Sequence, residues 1–260
     1  MQGRTGHDVY DAFECALSRS GGLLFCTDFD GTLSPIETDP DAPTLPTENE
    51  RALRLLGERE RVRVGVVSGR ALSDLRDRIG IDGIAYAGNH GLELETGDGR
   101  VAHPIAERRE GEIDRLCDVV ESVMGDRVLV ERKGLTATVH YREASEETAR
   151  SVRRLLRHET DEREGIRTAS GKQSVELRPA VEWEKGQAVS LLQDRTPDPW
   201  TTAYLGDDTT DESVFRTLDE GVSVHVGDGE TAAEHRLPDT EAVTALLEWL
   251  ANGASGHLTD

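Results

Sequence analysis

Short apolar runs alternate along this chain with segments in which apolar residues return every three or four positions. Leu23 to Leu33 begins as an apolar strand and closes on Asp28-Phe29-Asp30-Gly31-Thr32, and Val62 to Val67 closes on Ser68-Gly69-Arg70. Ile84 to Ala87 runs into Gly88-Asn89-His90-Gly91, and Thr202 to Leu205 runs into Gly206-Asp207-Asp208-Thr209-Thr210-Asp211-Glu212 ahead of a further strand at Val222 to Val226. Helical spacing appears in Val9, Phe13, Ala16 and Leu17, in Leu53 and Leu56 behind the capping-box sequence Thr47-x-x-Glu50, and in Leu72, Leu75 and Ile79. Further helices are expected from Trp183 to Gln193, Ser213 to Leu218 and Thr240 to Leu250. This alternation predicts an α/β fold whose parallel strands carry polar chemistry at their carboxyl ends.

The rhythm breaks between residues 104 and 179. A helix from Ile105 to Met124, strands at Arg127 to Glu131 and Leu135 to Tyr141, a helix from Ser145 to His158 and strands near Ile166 and Val175 predict a smaller α+β domain. The chain then reads as a core of residues 1–103 and 180–260 interrupted by an insert of 104–179. Gly91 to Val101 reads as a hairpin around Thr96-Gly97-Asp98-Gly99, and the proline- and acid-rich Ser34 to Pro46 as an irregular flap.

Composition narrows the partners. The 51 Asp plus Glu against 30 Lys plus Arg give a formal net charge of −21, which argues against nucleic acid or an anionic membrane. Lysine occurs only at Lys133, Lys172 and Lys185. A surface rich in acid and poor in lysine suits concentrated salt, which screens its self-repulsion, and we expect a halophilic source. Its thermal midpoint should rise as KCl is raised toward molar, as followed by circular dichroism; a fall would contradict that origin. Cys15, Cys26 and Cys117, widely spaced among apolar residues, read as reduced core residues and place the chain in the cytosol. Met1 to Ser20 is charged and polar rather than signal-like.

The strand ends together offer an aspartate pair, a small hydroxyl, a lysine at a helix start and a second acidic cluster. Hydrolysis of a phosphate ester needs a nucleophile, a proton donor for the leaving oxygen, cations for the phosphoryl oxygens and a metal to neutralise charge. Period-two geometry aims Asp28 and Asp30 to one side, with Phe29 turned away, and two adjacent carboxylates invite a magnesium ion. Gly165 to Lys172 lacks the spacing of a phosphate-binding loop and is followed by Gln173 where such a loop needs Ser or Thr.

The motifs DFDGT, VVSGR, the Lys185 region and GDDTTDE resemble, in order and spacing, those of the haloacid dehalogenase (HAD) superfamily of phosphatases. DFDGTLSPI, GNHG, KGLTATVHYR and VELRP carry a closer resemblance to the trehalose-6-phosphate phosphatases. The resemblance implies a Rossmann-like core with a cap. It implies that Asp28 attacks phosphorus, that Asp30 serves as acid and then base, and that Ser68 and Lys185 hold the phosphoryl oxygens. It further implies Mg2+ held by Asp28, the Asp30 carbonyl and Asp207, with Asp208 or Asp211 completing the shell. Arg70, Asn89, His90, Gly91, Lys133, Thr136, His140, Arg142, Glu176 and Arg178 become candidate contacts to a sugar phosphate, and a trehalose-phosphate synthase a candidate partner. Alternation along Leu135 to Arg142 places Thr136, Thr138, His140 and Arg142 on one strand face. The alternatives are a phosphatase for another glycosyl phosphate, such as glucosyl-3-phosphoglycerate or sucrose phosphate, and a catalytically silent sugar-phosphate sensor or accessory domain.

Overall fold

The computed structural model describes residues 7–37, 43–161, 163–171 and 173–258, so residues 38–42 of the expected flap and Lys172 lie outside the described residues. The chain forms two compact units, one of Met1–Val101 with Trp183–Asp260 and one of Ala102–Glu182.

The larger unit is built on strands β1 (Gly22–Thr27), β2 (Val62–Val67), β3 (Ala85–Gly88), β4 (Glu93–Thr96), β5 (Gly99–Ala102), β10 (Trp200–Gly206), β11 (Val222–Val226) and β12 (His235–Leu237). They lie in the order β12-β11-β10-β1-β2-β3-β4-β5, and β12 through β3 are parallel. From β1 the chain winds outward through β2 and β3, then returns to place β10 on the other side of β1 and winds the opposite way. The reversal leaves a crevice at the carboxyl ends of β1 and β10, the position where open α/β sheets take ligands.

Both sheet faces are covered, so the central strands are mostly apolar and buried rather than alternating. Helices α1 (His7–Leu17), α2 (Thr47–Gly57), α3 (Leu72–Ile79) and α8 (Thr240–Ala251) share one core with Leu23, Phe25, Val64 and Val224. Helices α6 (Lys185–Gln193) and α7 (Glu212–Thr217) share the other with Leu24, Cys26 and Tyr204. No helix among the described residues is long and apolar enough to cross a membrane.

The second unit holds α4 (Pro104–Met124), β6 (Leu129–Arg132), β7 (Ala137–His140), α5 (Glu146–Asp161), β8 (Ile166–Gly171) and β9 (Ser174–Pro179). Its strands form an antiparallel sheet in the order β6-β7-β9-β8. Ala137, Val139, Val175 and Leu177 pack on α4 and α5 through Ile113, Leu116, Val120, Val152 and Leu156. With one face taken by the helices, side-chain alternation assigns Glu131, Thr138, His140, Glu176 and Arg178 to the other, while Arg132 of β6 turns to Asp114, Asp118 and Glu121 of α4.

Four local expectations are corrected. The Thr47-x-x-Glu50 capping box does not form: Pro46 occupies the N-cap, Thr47 is already helical, and Glu50 pairs with Arg54 one turn on. Cys15 is exposed, because α1 buries Val9, Phe13 and Leu17 and Cys15 stands on its outer side. The alternation of β7 stops at His140, so Arg142 lies in the following turn, exposed. The edge strand β12, too short to announce itself, was not expected.

Candidate active site

Strand parity decides what meets at the crevice. Leu24 and Cys26 face α6 and α7, and Asp28, two residues beyond Cys26, emerges on that side while its backbone N–H extends the ladder to Leu205 O at 2.8 Å. Lys185 arrives from α6, where Glu184 and Gln187 form a reciprocal capping box that fixes the first turn. Its Nζ donates to Asp28 Oδ2 and Asp211 Oδ1, each at 2.8 Å. Lys185 and Asp211 are all but sealed from solvent, at 2% and 0% exposure.

Tyr204, in register with Cys26, donates its hydroxyl to Asp211 Oδ1 at 2.5 Å, and Asp208 N–H donates to Asp211 Oδ2 at 2.9 Å. Thr32 Oγ1 donates to Asp207 Oδ1 at 3.2 Å, tying the β1 turn to the β10 tip. Asp28, Asp207 and Asp211 each offer an oxygen within 4.8 Å of the others. Burial pushes the Asp28 carboxyl well above its usual range, against the pull of Lys185 and with the push of Asp211 and Asp207. Asp207 is pushed up to about 7 by burial and then by Asp211. Burial alone would lower the Lys185 ammonium, but Asp211 and Asp28 raise it above its ordinary value, so it is a fixed cation. Three crowded carboxylates against one ammonium form a donor set that suits a hard divalent cation.

Asp30 stands elsewhere than simple pleating implies. The strand ends at Thr27, and Phe29 O accepts from the backbone N–H of Leu33 and Ser34, both at 2.9 Å, in a tight turn. That turn carries the Asp30 carboxylate to Arg70, whose Nη2 and Nε donate to Oδ1 and Oδ2 at 2.6 and 2.7 Å. The carboxylates crowding Asp28 are therefore Asp207 and Asp211. Asp208 is exposed and spends Oδ1 on Thr209 N–H at 2.6 Å.

Gly31 makes this turn possible. Its φ of +79° is left-handed, and a Cβ there would overlap the Asp207 carboxylate. Gly31→Ala should cost about 1–3 kcal/mol in thermal denaturation, through strain and displacement of Asp207.

The next strand tips are knotted together. Asn89 N–H donates to Arg70 O at 2.7 Å and His90 N–H to Ser68 O at 2.9 Å, so Ser68, Arg70, Asn89 and His90 form one lip. Asn89, His90 and Gly91 follow one another at φ of +50°, +58° and +90°. This left-handed turn is held by Asn89 Nδ2 donating to the buried Glu93 at 2.5 Å and by Trp183 Nε1 donating to Gly91 O at 2.8 Å. Ser68 is buried and is not a helix cap, since α3 begins behind Ala71.

In the second unit, strand pairing sets Glu131, Thr138 and Glu176 side by side across β6, β7 and β9. His140 Nε2 lies 2.9 Å from Glu131 Oε2, Lys133 Nζ 3.7 Å from Glu131 Oε1, and Arg178 Nε 3.7 Å from Glu176 Oε2. Glu131 was not among the expected residues. The alternation Leu129, Glu131, Lys133 was the signal that could have found it.

A family model described as trehalose-phosphatase matches residues 26–241. The chain belongs to the trehalose-phosphatase family. It is accordingly a phosphomonoester hydrolase, and the four strand tips and Lys185 all lie inside the matched region. The trehalose-phosphate phosphatase of Mycobacterium marinum is 36% identical over 271 residues, covering 95% of this chain and 67% of that relative. A structure of the Candida albicans trehalose-6-phosphate phosphatase C-terminal domain superposes with a TM-score of 0.75 at 22% identity, covering 97% of this chain and 99% of that one. A haloacid dehalogenase-like hydrolase from Bacteroides thetaiotaomicron gives a TM-score of 0.64 at 14% identity, covering 88% and 99%. The fold of the family is thus that of the HAD-like hydrolases.

Proposed function

We propose that this enzyme hydrolyses trehalose 6-phosphate to trehalose and phosphate through an aspartyl-phosphate on Asp28. The observation that carries the reading is the buried Asp28 carboxylate oriented from both sides: Phe29 N–H donates to Oδ1 at 2.7 Å and Lys185 to Oδ2 at 2.8 Å. A carboxylate so held is a positioned nucleophile.

Attack of an Asp28 oxygen on phosphorus forms the acyl-phosphate bond as the bond to the sugar oxygen breaks. The Asp30 carboxyl gives its proton to that oxygen, releasing the sugar alcohol. Asp30, now a carboxylate, takes a proton from water as the water oxygen attacks phosphorus, which restores Asp28 and frees phosphate. Lys185 and Ser68 stand for the phosphoryl oxygens. Asp28, Asp207 and Asp211, with the Asp30 carbonyl, are the residues that would hold Mg2+, which supplies positive charge against the phosphoryl oxygens. Burial and then repulsion from Asp211, which push Asp207 up to about 7, support a cation at that place.

The second unit's polar row of Glu131, Thr138 and Glu176, with Lys133, His140 and Arg178, offers the paired carboxylates and cations that read sugar hydroxyls. Glu131→Ala should raise KM for trehalose 6-phosphate about tenfold, equivalent to ~1.4 kcal/mol, with kcat within about threefold. Phosphate release across a panel of sugar phosphates tests the assignment. Selective turnover of trehalose 6-phosphate is expected, and equal turnover of unrelated phosphomonoesters would overturn it.

A further inference from the structure

Arg70 is gripped from both sides. While Nε and Nη2 hold Asp30, Nη1 donates to Asp74 Oδ2 at 2.9 Å, and the guanidinium lies 5.6 Å from the centre of the Phe29 ring. Asp74 is held in turn by Arg78, whose Nε donates to Oδ1 and Oδ2 at 2.8 and 2.9 Å, and Arg78 Nη1 donates to Pro43 O at 2.7 Å. The two arginine side chains are largely buried, at 11% and 13% exposure. Arg70, just ahead of α3, and Asp74 and Arg78 in its first and last turns follow at intervals of four, so one row carries the chain of charges. An arginine whose fork is occupied on both edges loses its rotamer freedom, and the carboxylate it chelates is fixed with it.

The geometry points to Asp74 and Arg78 as positioning residues for the acid and base of the reaction: acting through Arg70, they set where the Asp30 carboxyl meets the leaving oxygen. This rests on the proposed role of Asp30. The proton that Asp30 delivers matters most when the departing group is a poor one. A sugar alkoxide needs it, whereas p-nitrophenolate leaves without it. Because kcat/KM covers only the steps through departure of the leaving group, two substrates separate positioning of the acid from general damage.

The experiment compares Asp74→Asn and Arg78→Gln with the wild type on trehalose 6-phosphate and p-nitrophenyl phosphate. We expect kcat/KM for the sugar phosphate to fall about 10- to 100-fold, a part of the ~10²–10⁴-fold that a placed acid contributes. On p-nitrophenyl phosphate it should stay within about threefold, and Asp74→Glu should recover part of the loss. Equal losses on both substrates would overturn the inference, as would a raised KM for the sugar phosphate at unchanged kcat, which would make Arg70 a substrate contact instead. A wild type inactive on trehalose 6-phosphate would defeat the substrate assignment alone, and the same comparison would then be run with whichever alkyl phosphate it hydrolyses.

Discussion

Asp28→Asn should abolish turnover while leaving the fold at least as stable. The amide keeps the shape that accepts Phe29 N–H but cannot attack phosphorus, so phosphate release should fall on the order of 10⁴-fold, equivalent to ~5.4 kcal/mol in the barrier. Stability should move the other way. Burial already disfavours the Asp28 carboxylate, and Asp207 and Asp211 repel it. The sign follows: a carboxyl whose folded pKa lies above its unfolded one costs stability once the pH passes the unfolded value, and a neutral amide removes that cost at neutral pH. Lys185 keeps Asp211 as a partner at 2.8 Å. The checks are phosphate release, intact mass for a trapped phosphoryl group and thermal midpoint. Retained activity would remove Asp28 from the chemistry, and a lowered midpoint would contradict the repulsion.

Lys185→Met should be the most damaging single change to stability. It strips the cation from a pocket that holds Asp28, Asp207 and Asp211. Breaking a buried pair on one side costs about 3–5 kcal/mol, which for a chain of this size lowers the thermal midpoint by roughly 10 °C. Phosphatase activity should be lost with it, since the phosphoryl oxygens lose their fixed positive charge. Added Mg2+ should restore part of the midpoint, and by more than it shifts the wild type, because the cation replaces charge that the variant lacks. A midpoint indifferent to Mg2+ in both proteins would argue against the three carboxylates as a metal site.

Much of the fold was legible because local and global signals agree. β2 and α3 fall at the expected residues, since a run that is apolar and buried except for Arg63 and an amphipathic helix leave few competing readings. The strand tip of Asp28, the second acidic tip and Lys185 were legible as chemistry. Their partners were not. Tyr204 reads as one more apolar strand residue, and nothing local says that its hydroxyl meets Asp211. Asp30 was expected beside Asp28 because period two was carried past the end of β1, where the Gly31 turn takes over. Asp74 and Arg78 read as ordinary solvated helix positions; their link to Asp30 exists only once β1 and β2 lie side by side.

The order of strands also sets when this catalyst comes into being. β1 pairs with β10 from Gly22 against Trp200 to Thr27 against Leu205, and Thr32 and Asp207, joined by a hydrogen bond, are 175 residues apart in the chain. Closing so long a loop is entropically expensive and is repaid only when the pairing is complete. A nascent chain exposes Asp28 early but has neither Lys185 nor the second acidic tip until most of it has been synthesised. Half-made molecules therefore carry Asp28 without Lys185, and the crevice is complete only once β10 has paired with β1.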